Sequence, residues 1–492
     1  MNRQKNVLQQ YSQNSCVLIL SVMDLFPSEN GHGHGSKLHV AMFPWLAHGH
    51  IFPYIQLSKK LAEKGLTISF ISTPLNIAKI IKPSFATLKS PGKVHLLELP
   101  LPPVDGLPAG VDNTADLPIH LTPLFDKAVD GLEKPLEDLL GRIRPDCVVF
   151  DFLQWWTPRA AAKFGIPAVF FPTFGAAFSS YAIHPARRGS ESTAEDLTKP
   201  PPGYPSAAIS WKPYEARAVM GCNRPQGPNE ISYLERIFRC YEHCSAMAVK
   251  TCDEVEGKFV RYLQEVIGKP VLPLGPLLSG VASRESDCLA WLDRRTPGSV
   301  VYVAFGSNFF MSRDDMGEIA LGLEGSMLPF LWALRLPHGR HGCRVTDLLP
   351  PGFEERIRGR GLVVGEWAPQ VEILRHPSTG GFMTHCGWSS LMEGMSAGVP
   401  FMACPMLLDQ GLNSRLVCEE LQVGVEVRRV DEGLLKWEEI CRAVRTAMVD
   451  EEGTRVRTKA SEIGQTFKSK ISQDAYLKEF VGHLQSMVSK KM

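Results

Sequence analysis

The chain has 492 residues, with 53 basic and 52 acidic side chains and a formal net charge of +1. This length exceeds what one ordinary hydrophobic core encloses, so we expect two domains. The balanced charge provides no global field that would attract nucleic acid or an anionic membrane. It leaves only a local patch for such contacts, and neither class of partner is expected.

The twelve cysteines are too sparse in so long a chain to form the framework of a disulfide-stabilised protein. The sequence also has no Asn-x-Ser/Thr acceptor, which agrees with a reducing, cytoplasmic location. Cys240, His243 and Cys244 are close in sequence, but no second pair of ligands stands nearby. We therefore interpret the cysteines as free thiols on a helix and expect no metal site.

Residues 1–36 are predicted to be a disordered extension. Their apolar stretch "CVLILSVM" has eight residues, too few to span a bilayer, and no signal-peptide cleavage pattern follows it. We expect no transmembrane segment. The Gly-His alternation at residues 31–35 is typical of a flexible linker or a metal-binding tract, and the linker is favoured.

The first domain is predicted over residues 37–272. "KLHVAMF" is typical of a buried strand, "PWLAHG" of a loop, and the helical stripe that follows should end at Gly65. "LTISFIS" is then the next strand, which completes a unit of a parallel sheet. The pattern recurs with a strand that ends at Asp151 and a helix over residues 155–164.

The second domain is predicted over residues 273–470, after an interdomain linker, "VLPLGPLLSG", at residues 271–280. "SVVYVAFGS", "PFLWALR" and "GLVVGEW" are predicted strands, and a helix over residues 471–492 is expected to pack back on the first domain. The expected fold class is α/β, with two doubly wound, Rossmann-like domains facing a cleft.

Polar residues in the second domain follow predicted strand ends. His385 follows one strand, and Ser389 lies in the first turn of the next helix, where unpaired N–H groups attract a phosphate. Glu393 lies four residues farther along the same helical face and could accept hydrogen bonds from ribose hydroxyls. A lone histidine at a strand end can equally be structural, so it is the convergence of these groups that indicates a nucleotide site.

Two further strand ends carry groups of the same kind. The carboxylate and amide of Asp409 and Gln410 suit a polyhydroxylated ligand. Trp367 and Gln370 end the strand "GLVVGEW", where an indole face could stack on a base, although Trp367 alone would also fit a core position.

The stretch "WAPQVEILRHPSTGGFMTHCGWSSLMEGMSAGVPFMACPMLLDQ", residues 367–410, closely resembles the signature box of plant UDP-dependent glycosyltransferases of family 1. The resemblance extends from about residue 37 to the C-terminus. It implies a GT-B fold, a UDP-sugar donor as co-substrate, a small-molecule acceptor, and no metal or other cofactor. A monomer is expected.

The resemblance also implies roles for the matching residues. Trp367 and the main chain of Gln370 would hold the uracil base of UDP, and Glu393 would hold the ribose. The diphosphate would be bound by Ser307, His385, Ser389 and Ser390. The hydroxyls of the sugar would be bound by Trp388, Asp409 and Gln410. The family usually has Asn where this chain has Ser389, so a weakened or water-bridged contact is expected there. Gln410 accompanies glucose donors in many relatives, with rhamnose, xylose and galactose left open.

In the first domain, His50 and Asp151 both follow strand ends of one sheet, and sequence position alone leaves other pairings open. The resemblance implies that His50 is the catalytic base and Asp151 its partner. His50 would deprotonate the acceptor hydroxyl, whose attack from the face opposite UDP inverts the configuration. His48 stands where an apolar residue lining the acceptor pocket is expected.

The N-terminal stretch from residue 39 looks most like the branch of this family that extends sugars already attached to flavonoids, terpenoids or sterols. A glycoside acceptor is therefore favoured over a bare aglycone. Trp155, Trp156, Phe174 and Phe178 could line an apolar acceptor pocket or belong to the core. A non-catalytic UDP-sugar-binding protein is the alternative, while a hydrolase, a kinase and a dehydrogenase lack their motifs.

Overall fold

The computed structural model describes residues 38–86, 88, 91–188, 193–223, 231–278, 286–306, 311–335 and 345–489. The predicted extension over residues 1–36 and the predicted diphosphate contact Ser307 lie outside these ranges. The described strands form two sheets, and every pairing within each sheet is parallel. The expected architecture of two doubly wound α/β units is confirmed.

The first sheet has the order β3-β2-β1-β4-β5-β6-β7. Its strands are β1 (His39–Phe43), β2 (Thr67–Ser72), β3 (Val94–Glu98), β4 (Cys147–Phe150), β5 (Ala168–Phe170), β6 (Ala246–Val249) and β7 (Val271–Pro273). All four residues of β4 are buried, as expected for a central parallel strand that helices cover on both faces.

The second sheet has the order β10-β9-β8-β11-β12-β13. Its strands are β8 (Val300–Ala304), β9 (Phe330–Ala333), β10 (Gly361–Val364), β11 (Thr379–Thr384), β12 (Phe401–Ala403) and β13 (Gly424–Glu426). In both sheets the strand order reverses beside the first strand of the unit. The carboxyl ends of the strands on either side of that point are where a ligand crevice forms.

The described α-helices connect the strands and close the chain. They are α1 (His48–Glu63), α2 (Pro74–Asn76), α3 (Lys82–Phe85), α4 (Thr122–Asp130), α5 (Glu133–Ile143), α6 (Thr157–Ala162), α7 (Ala176–Ala182), α8 (Ala194–Leu197), α9 (Pro213–Cys222), α10 (Tyr233–His243), α11 (Asp253–Ile267), α12 (Asp287–Leu292), α13 (Arg313–Gly325), α14 (Phe353–Arg356), α15 (Gln370–Arg375), α16 (Trp388–Ala397), α17 (Gln410–Arg415), α18 (Trp437–Met448), α19 (Thr454–Ser469) and α20 (Gln473–Ser489). Two π-helical segments, Ile77–Ile81 and Leu416–Glu420, continue α2 and α17.

Helix α1 shows how the sequence sets these elements. Its buried positions include Ile51, Ile55 and Leu61, which form one stripe against the sheet. The chain leaves the helix at Gly65, whose φ of 95° lies in the left-handed region that glycine adopts without strain. The predicted end of this helix is therefore confirmed.

The two halves share an apolar interior. One cluster of buried side chains contains Phe43 and Phe150 of the first sheet together with Tyr302 and Phe382 of the second. Polar contacts add to it at the segment before α9, where the indole N–H of Trp211 donates to the carbonyl of Leu408 at 2.9 Å. The halves are thus packed on each other beside the cleft.

The end of the first sheet differs from the prediction. Strand β7, Val271–Pro273, occupies the first three residues of the predicted linker and pairs with β6. "VLP" lacks the polarity of a linker because it lies in the sheet, where Val271 and Leu272 are buried. The first sheet therefore ends at Pro273, and the boundary predicted after residue 272 cuts through its last strand.

Helix α20 at the C-terminal end packs on the first half of the chain. Leu477, Phe480 and Leu484 belong to the apolar cluster that also contains Met42 and Phe70 of the first sheet. The Oε1 of Gln473 accepts the N–H of Leu277 at 2.8 Å. No helix of the described residues is long and apolar enough to cross a membrane.

We expect Phe480→Ala to lower the free energy of unfolding by about 3 kcal/mol, because the side chain is 1% exposed and its loss leaves a cavity. Denaturant unfolding followed by tryptophan fluorescence measures the effect. Glu479→Ala, at an exposed position of the same helix, is the matched control and should change stability by less than about 0.5 kcal/mol. Equal stability of the two variants would show that the helix does not contribute to the fold through this face.

Candidate active site

The carboxyl edge of the first sheet carries four polar residues. His50 lies in the first turn of α1, Asp151 directly follows β4, Thr173 follows β5, and Lys250 directly follows β6. Because β1, β4, β5 and β6 are neighbours in the sheet, their ends bring these residues together.

His50 and Asp151 form a hydrogen-bonded pair. Asp151 is fully buried, and its Oδ2 lies 2.8 Å from Nδ1 of His50, whose side chain is 13% exposed. Oδ2 also accepts the N–H of Trp45 at 3.0 Å, and Oδ1 accepts the N–H of Phe152 at 2.8 Å. A carboxylate held by donors can only accept, so Nδ1 carries the proton and Nε2 remains as the basic nitrogen.

The imidazole of His50 is packed in place by its neighbours. The ring of Phe152 stacks on it at a centroid distance of 5.0 Å, and Phe174 meets it edge-on at 5.9 Å. The hydroxyl of Thr173 lies 3.0 Å from Nδ1. Thr173 has φ of 55°, a strained conformation for a β-branched residue that points to a function-related constraint. Thr173 was not predicted from the sequence, where its only signal is a hydroxyl close after a predicted strand.

His385 directly follows β11, as predicted, and its ring lies between two glycines. A Cβ on Gly306 or on Gly387 would come within 2.6 Å of Nε2, so neither position tolerates a side chain. Burial lowers the pKa of His385 to about 4. The ring is therefore neutral near pH 7 and can donate one hydrogen bond to an anion without contributing a charge.

Gln370 and Glu393, predicted to hold the uracil and the ribose, belong to one hydrogen-bond network. The amide of Gln370 donates to Glu393 at 2.8 Å and to Ser390 at 3.2 Å, and the hydroxyl of Tyr302 donates to the Gln370 carbonyl oxygen at 3.4 Å. Burial raises the pKa of Glu393, whereas the charge of Lys250 opposes this shift. The network fixes the start of α15 against the first turns of α16.

The two tryptophans of the predicted site differ in exposure. Trp367 is 71% exposed, so the core alternative for it is wrong and its indole face is open to a ligand. Trp388 is 3% exposed, and its indole N–H donates to the carbonyl of Lys250 at 2.6 Å. A contact from Trp388 to a sugar would therefore come from its main-chain N–H at the start of α16.

Asp409 and Gln410 lie at the start of α17, where each is held by its own partners. Asn413 donates to Oδ2 of Asp409 at 2.7 Å, and Oε1 of Gln410 accepts the N–H groups of Met406 and Leu407, each at 2.9 Å. Burial raises the pKa of Asp409 to about 6, and the hydrogen bond from Asn413 opposes this shift; a proton taken up by His50 would also oppose it. Asp409 of the second half thus lies within electrostatic reach of the pair in the first.

Ser389 receives a hydrogen bond that the sequence did not predict. The Nζ of Lys250, from the first half of the chain, donates to its hydroxyl at 3.0 Å. A lysine at the end of the apolar strand in "SAMAVKTC" was the available signal. The serine is therefore already linked across the cleft.

A largely apolar cavity of about 100 Å³ is lined mainly by residues of the first half. Phe178 and Trp211 line it from the first half and Leu408, next to Asp409, from the second. Phe174 contacts both Phe178 and the ring of His50, which connects the cavity with the histidine.

The two neighbouring tryptophans named for this pocket lie elsewhere. Trp156 is a core residue, 1% exposed, that contacts Phe43 at a centroid distance of 5.9 Å. The ring of Trp155 packs under the guanidinium groups of Arg159 and Arg239. Neither residue lines the cavity beside Phe178; both line a separate cavity together with Arg239 and His243 of α10.

The remaining residues discussed from the sequence are His48, Cys240 and Cys244. His48 stacks on Phe52 at a centroid distance of 6.0 Å. Cys240 and Cys244 are buried free thiols whose pKa values are raised by burial. Within the ranges that the structure covers, no group of three or more His, Cys, Asp or Glu side chains is placed to hold a metal ion.

Comparison with known families matches both halves of the chain. The family described as "Glycosyltransferase, N-terminal domain" matches residues 36–203, and "UDP-glucoronosyl and UDP-glucosyl transferase" matches residues 269–455. The second match includes the whole stretch from Trp367 to Gln410.

Curated relatives match over most of their length. UDP-glycosyltransferase 91B1 of Arabidopsis thaliana is 37% identical over 92% of this chain and 98% of its own. UDP-glucosyltransferase 29 of Panax ginseng is 36% identical over 90% and 96%. Mogroside IIIx synthase of Siraitia grosvenorii is 34% identical over 89% and 95%.

Solved structures match the fold. UGT73P12 of Glycyrrhiza uralensis, complexed with glycyrrhetinic acid 3-O-monoglucuronide, has a TM-score of 0.77 and 26% identity, over 93% of this chain and 97% of its own. UGT2 of Phytolacca americana, complexed with UDP-2fluoro-glucose and pterostilbene, has a TM-score of 0.74 and 26% identity, over 92% and 100%. The chain therefore belongs to the plant UDP-dependent glycosyltransferases of family 1 and is a transferase with the GT-B fold.

Proposed function

We propose that the chain transfers a sugar, with glucose the favoured donor, from its UDP-sugar to a hydroxyl of a small plant glycoside, with inversion. The observation that carries this proposal is the His50–Asp151 pair, because the buried carboxylate leaves Nε2 of the imidazole as a base beside the cleft. A UDP-sugar-binding protein without catalysis would have no need of this arrangement.

The reaction follows from the positions of these groups. Nε2 of His50 takes the proton of the acceptor hydroxyl, and the oxygen attacks the anomeric carbon. The bond from that carbon to the diphosphate oxygen breaks, and UDP leaves with the electron pair. Asp151 stabilises the imidazolium that forms, because its carboxylate accepts a hydrogen bond from Nδ1 at 2.8 Å.

The donor would lie along the carboxyl edge of the second sheet. Trp367, with 71% of its surface exposed, offers a face for the uracil. The carboxylate of Glu393, which accepts a hydrogen bond from Gln370 at 2.8 Å, would accept hydrogen bonds from the ribose hydroxyls. The first turn of α16, with Ser389 and Ser390, would receive the diphosphate. Asp409 and Gln410 would hold the sugar hydroxyls near His50.

The glycoside acceptor is supported by relatives rather than by a specific contact. Mogroside IIIx synthase is among the curated relatives, and UGT73P12 has been solved with a monoglucuronide. An aglycone acceptor is the second candidate, since UGT2 has been solved with pterostilbene and the cavity beside Phe178 is apolar.

Mass spectrometry of products from a panel of UDP-sugars, tested on paired aglycones and glycosides, decides between these readings. Products formed on the glycoside alone support the proposal. Products formed on the aglycone alone favour the second candidate. No product from any combination, although UDP binds, would support the non-catalytic alternative.

We expect His50→Ala to retain UDP binding while the transfer rate falls by about 10²- to 10⁴-fold, because the general base is lost. Calorimetry measures UDP affinity, and liquid chromatography measures the product. His376→Ala is the matched control, since His376 forms a second His–Asp pair with Asp293 at 3.2 Å, away from the cleft. Transfer by His50→Ala within tenfold of the wild type would exclude His50 as the base.

We expect the affinity for UDP-glucose to decrease about tenfold between pH 7 and pH 5. Burial raises the pKa of Asp409 to about 6, so the carboxylate is ionised above that pH and becomes a weaker acceptor for sugar hydroxyls below it. Calorimetric titration without acceptor measures the profile. Asp409→Asn should bind more weakly and show no step near pH 6, and the same profile in both proteins would assign the titration to another group.

A further inference from the structure

Lys250 belongs to the first half of the chain, and its side chain contacts the second half. It directly follows β6 of the first sheet, yet its Nζ lies 3.0 Å from Ser389 in the first turn of α16. Its carbonyl accepts the indole N–H of Trp388 at 2.6 Å. These contacts fix both the main chain and the side chain of Lys250 at the start of α16.

The ammonium group is buried with little compensation. Lys250 is 3% exposed, and among the described residues the only hydrogen-bond partner of its Nζ is the neutral hydroxyl of Ser389. Glu393 attracts the charge from beyond ion-pair distance, and burial lowers the pKa of Lys250 to about 8. Buried ammonium groups are ordinarily paired with an anion, because desolvation costs several kcal/mol.

The start of α16 adds a second positive feature at the same place. This ten-residue helix begins after Gly387, which has no side chain to accept the first N–H groups. Those N–H groups carry the positive end of the helix dipole. The neighbouring His385 is neutral near pH 7, whereas Lys250 places a positive side chain at this helix start.

We propose that Lys250 is a donor-binding residue, which pairs with the diphosphate of the UDP-sugar at the start of α16 from the opposite half of the chain. This inference rests on the proposed function. It implies that the diphosphate bridges the two halves and that its binding completes the pairing of a charge that is buried beforehand. Ser389 then orients the ammonium rather than serving only as a contact of its own.

The test compares UDP with uridine, which lacks the diphosphate. We expect Lys250→Met and Lys250→Gln to bind UDP about 10- to 100-fold more weakly, while uridine binding stays within twofold of the wild type. Lys250→Gln retains a donor for Ser389 without the charge, so its loss of UDP affinity isolates the charge. Calorimetry measures UDP, and ligand-observed NMR measures uridine.

Two controls separate this role from a structural one. Lys258→Met removes another lysine of the first half that pairs across to the second, with Glu420, and should leave UDP affinity unchanged. Lys250→Met should melt no lower than the wild type, because an apolar side chain of similar length suits a buried position.

Three results would overturn the inference. If Lys250→Met binds UDP within twofold of the wild type, the charge of Lys250 does not contribute to diphosphate binding. An equal loss for UDP and uridine would assign Lys250 a structural role. After either of these results, a wild type that still forms glycoside product would keep the proposed function, and only the role of Lys250 would be wrong. A wild type that binds no UDP would overturn both the role of Lys250 and the proposed function.

Discussion

The buried carboxylate of Asp151 is the constraint on which the arrangement of the site depends. An ionised group with no exposed surface is stable only when its oxygens are hydrogen-bonded. Three donors supply this: the N–H of Trp45 in the loop after β1, Nδ1 of His50 in the first turn of α1, and the N–H of Phe152, the residue after Asp151. The same bonds that make the carboxylate tolerable thus hold the loop, the helix start and the imidazole of His50 in one geometry.

The two halves then meet through groups that also belong to the site. Lys250 of the first half reaches Ser389, Trp388 of the second half reaches the carbonyl of Lys250, and Asp409 lies within the field of His50. A relative movement of the halves would alter all three contacts together. The packing of the two halves on each other and the geometry of the candidate site therefore depend on the same few atoms.

The sequence predicts what depends on local pattern and fails where distance along the chain decides. Apolar runs located both sheets, and strand ends located His50, Asp151 and His385, because parallel strands end at a common edge. Lys250 and Ser389 are 139 positions apart in the sequence, so no local pattern signals their contact. The strand at Val271 was missed, and the sequence left Trp156 open between core and pocket, because a short apolar segment has the same pattern in a core, a pocket or a linker.

The neighbouring side chains of Asp409 and Gln410 divide hydrogen-bonding capacity between them. Two main-chain N–H groups occupy Oε1 of Gln410, which fixes the orientation of the amide and leaves its NH2 group as donor. Asp409 gives one oxygen to Asn413 and, when ionised, can only accept. A donor and an acceptor side by side complement two adjacent hydroxyls, one of which accepts while the other donates. A single hydroxyl would satisfy just one of them, so the hydrogen-bonding pattern of the pair would suit vicinal hydroxyls, as the proposed sugar donor has.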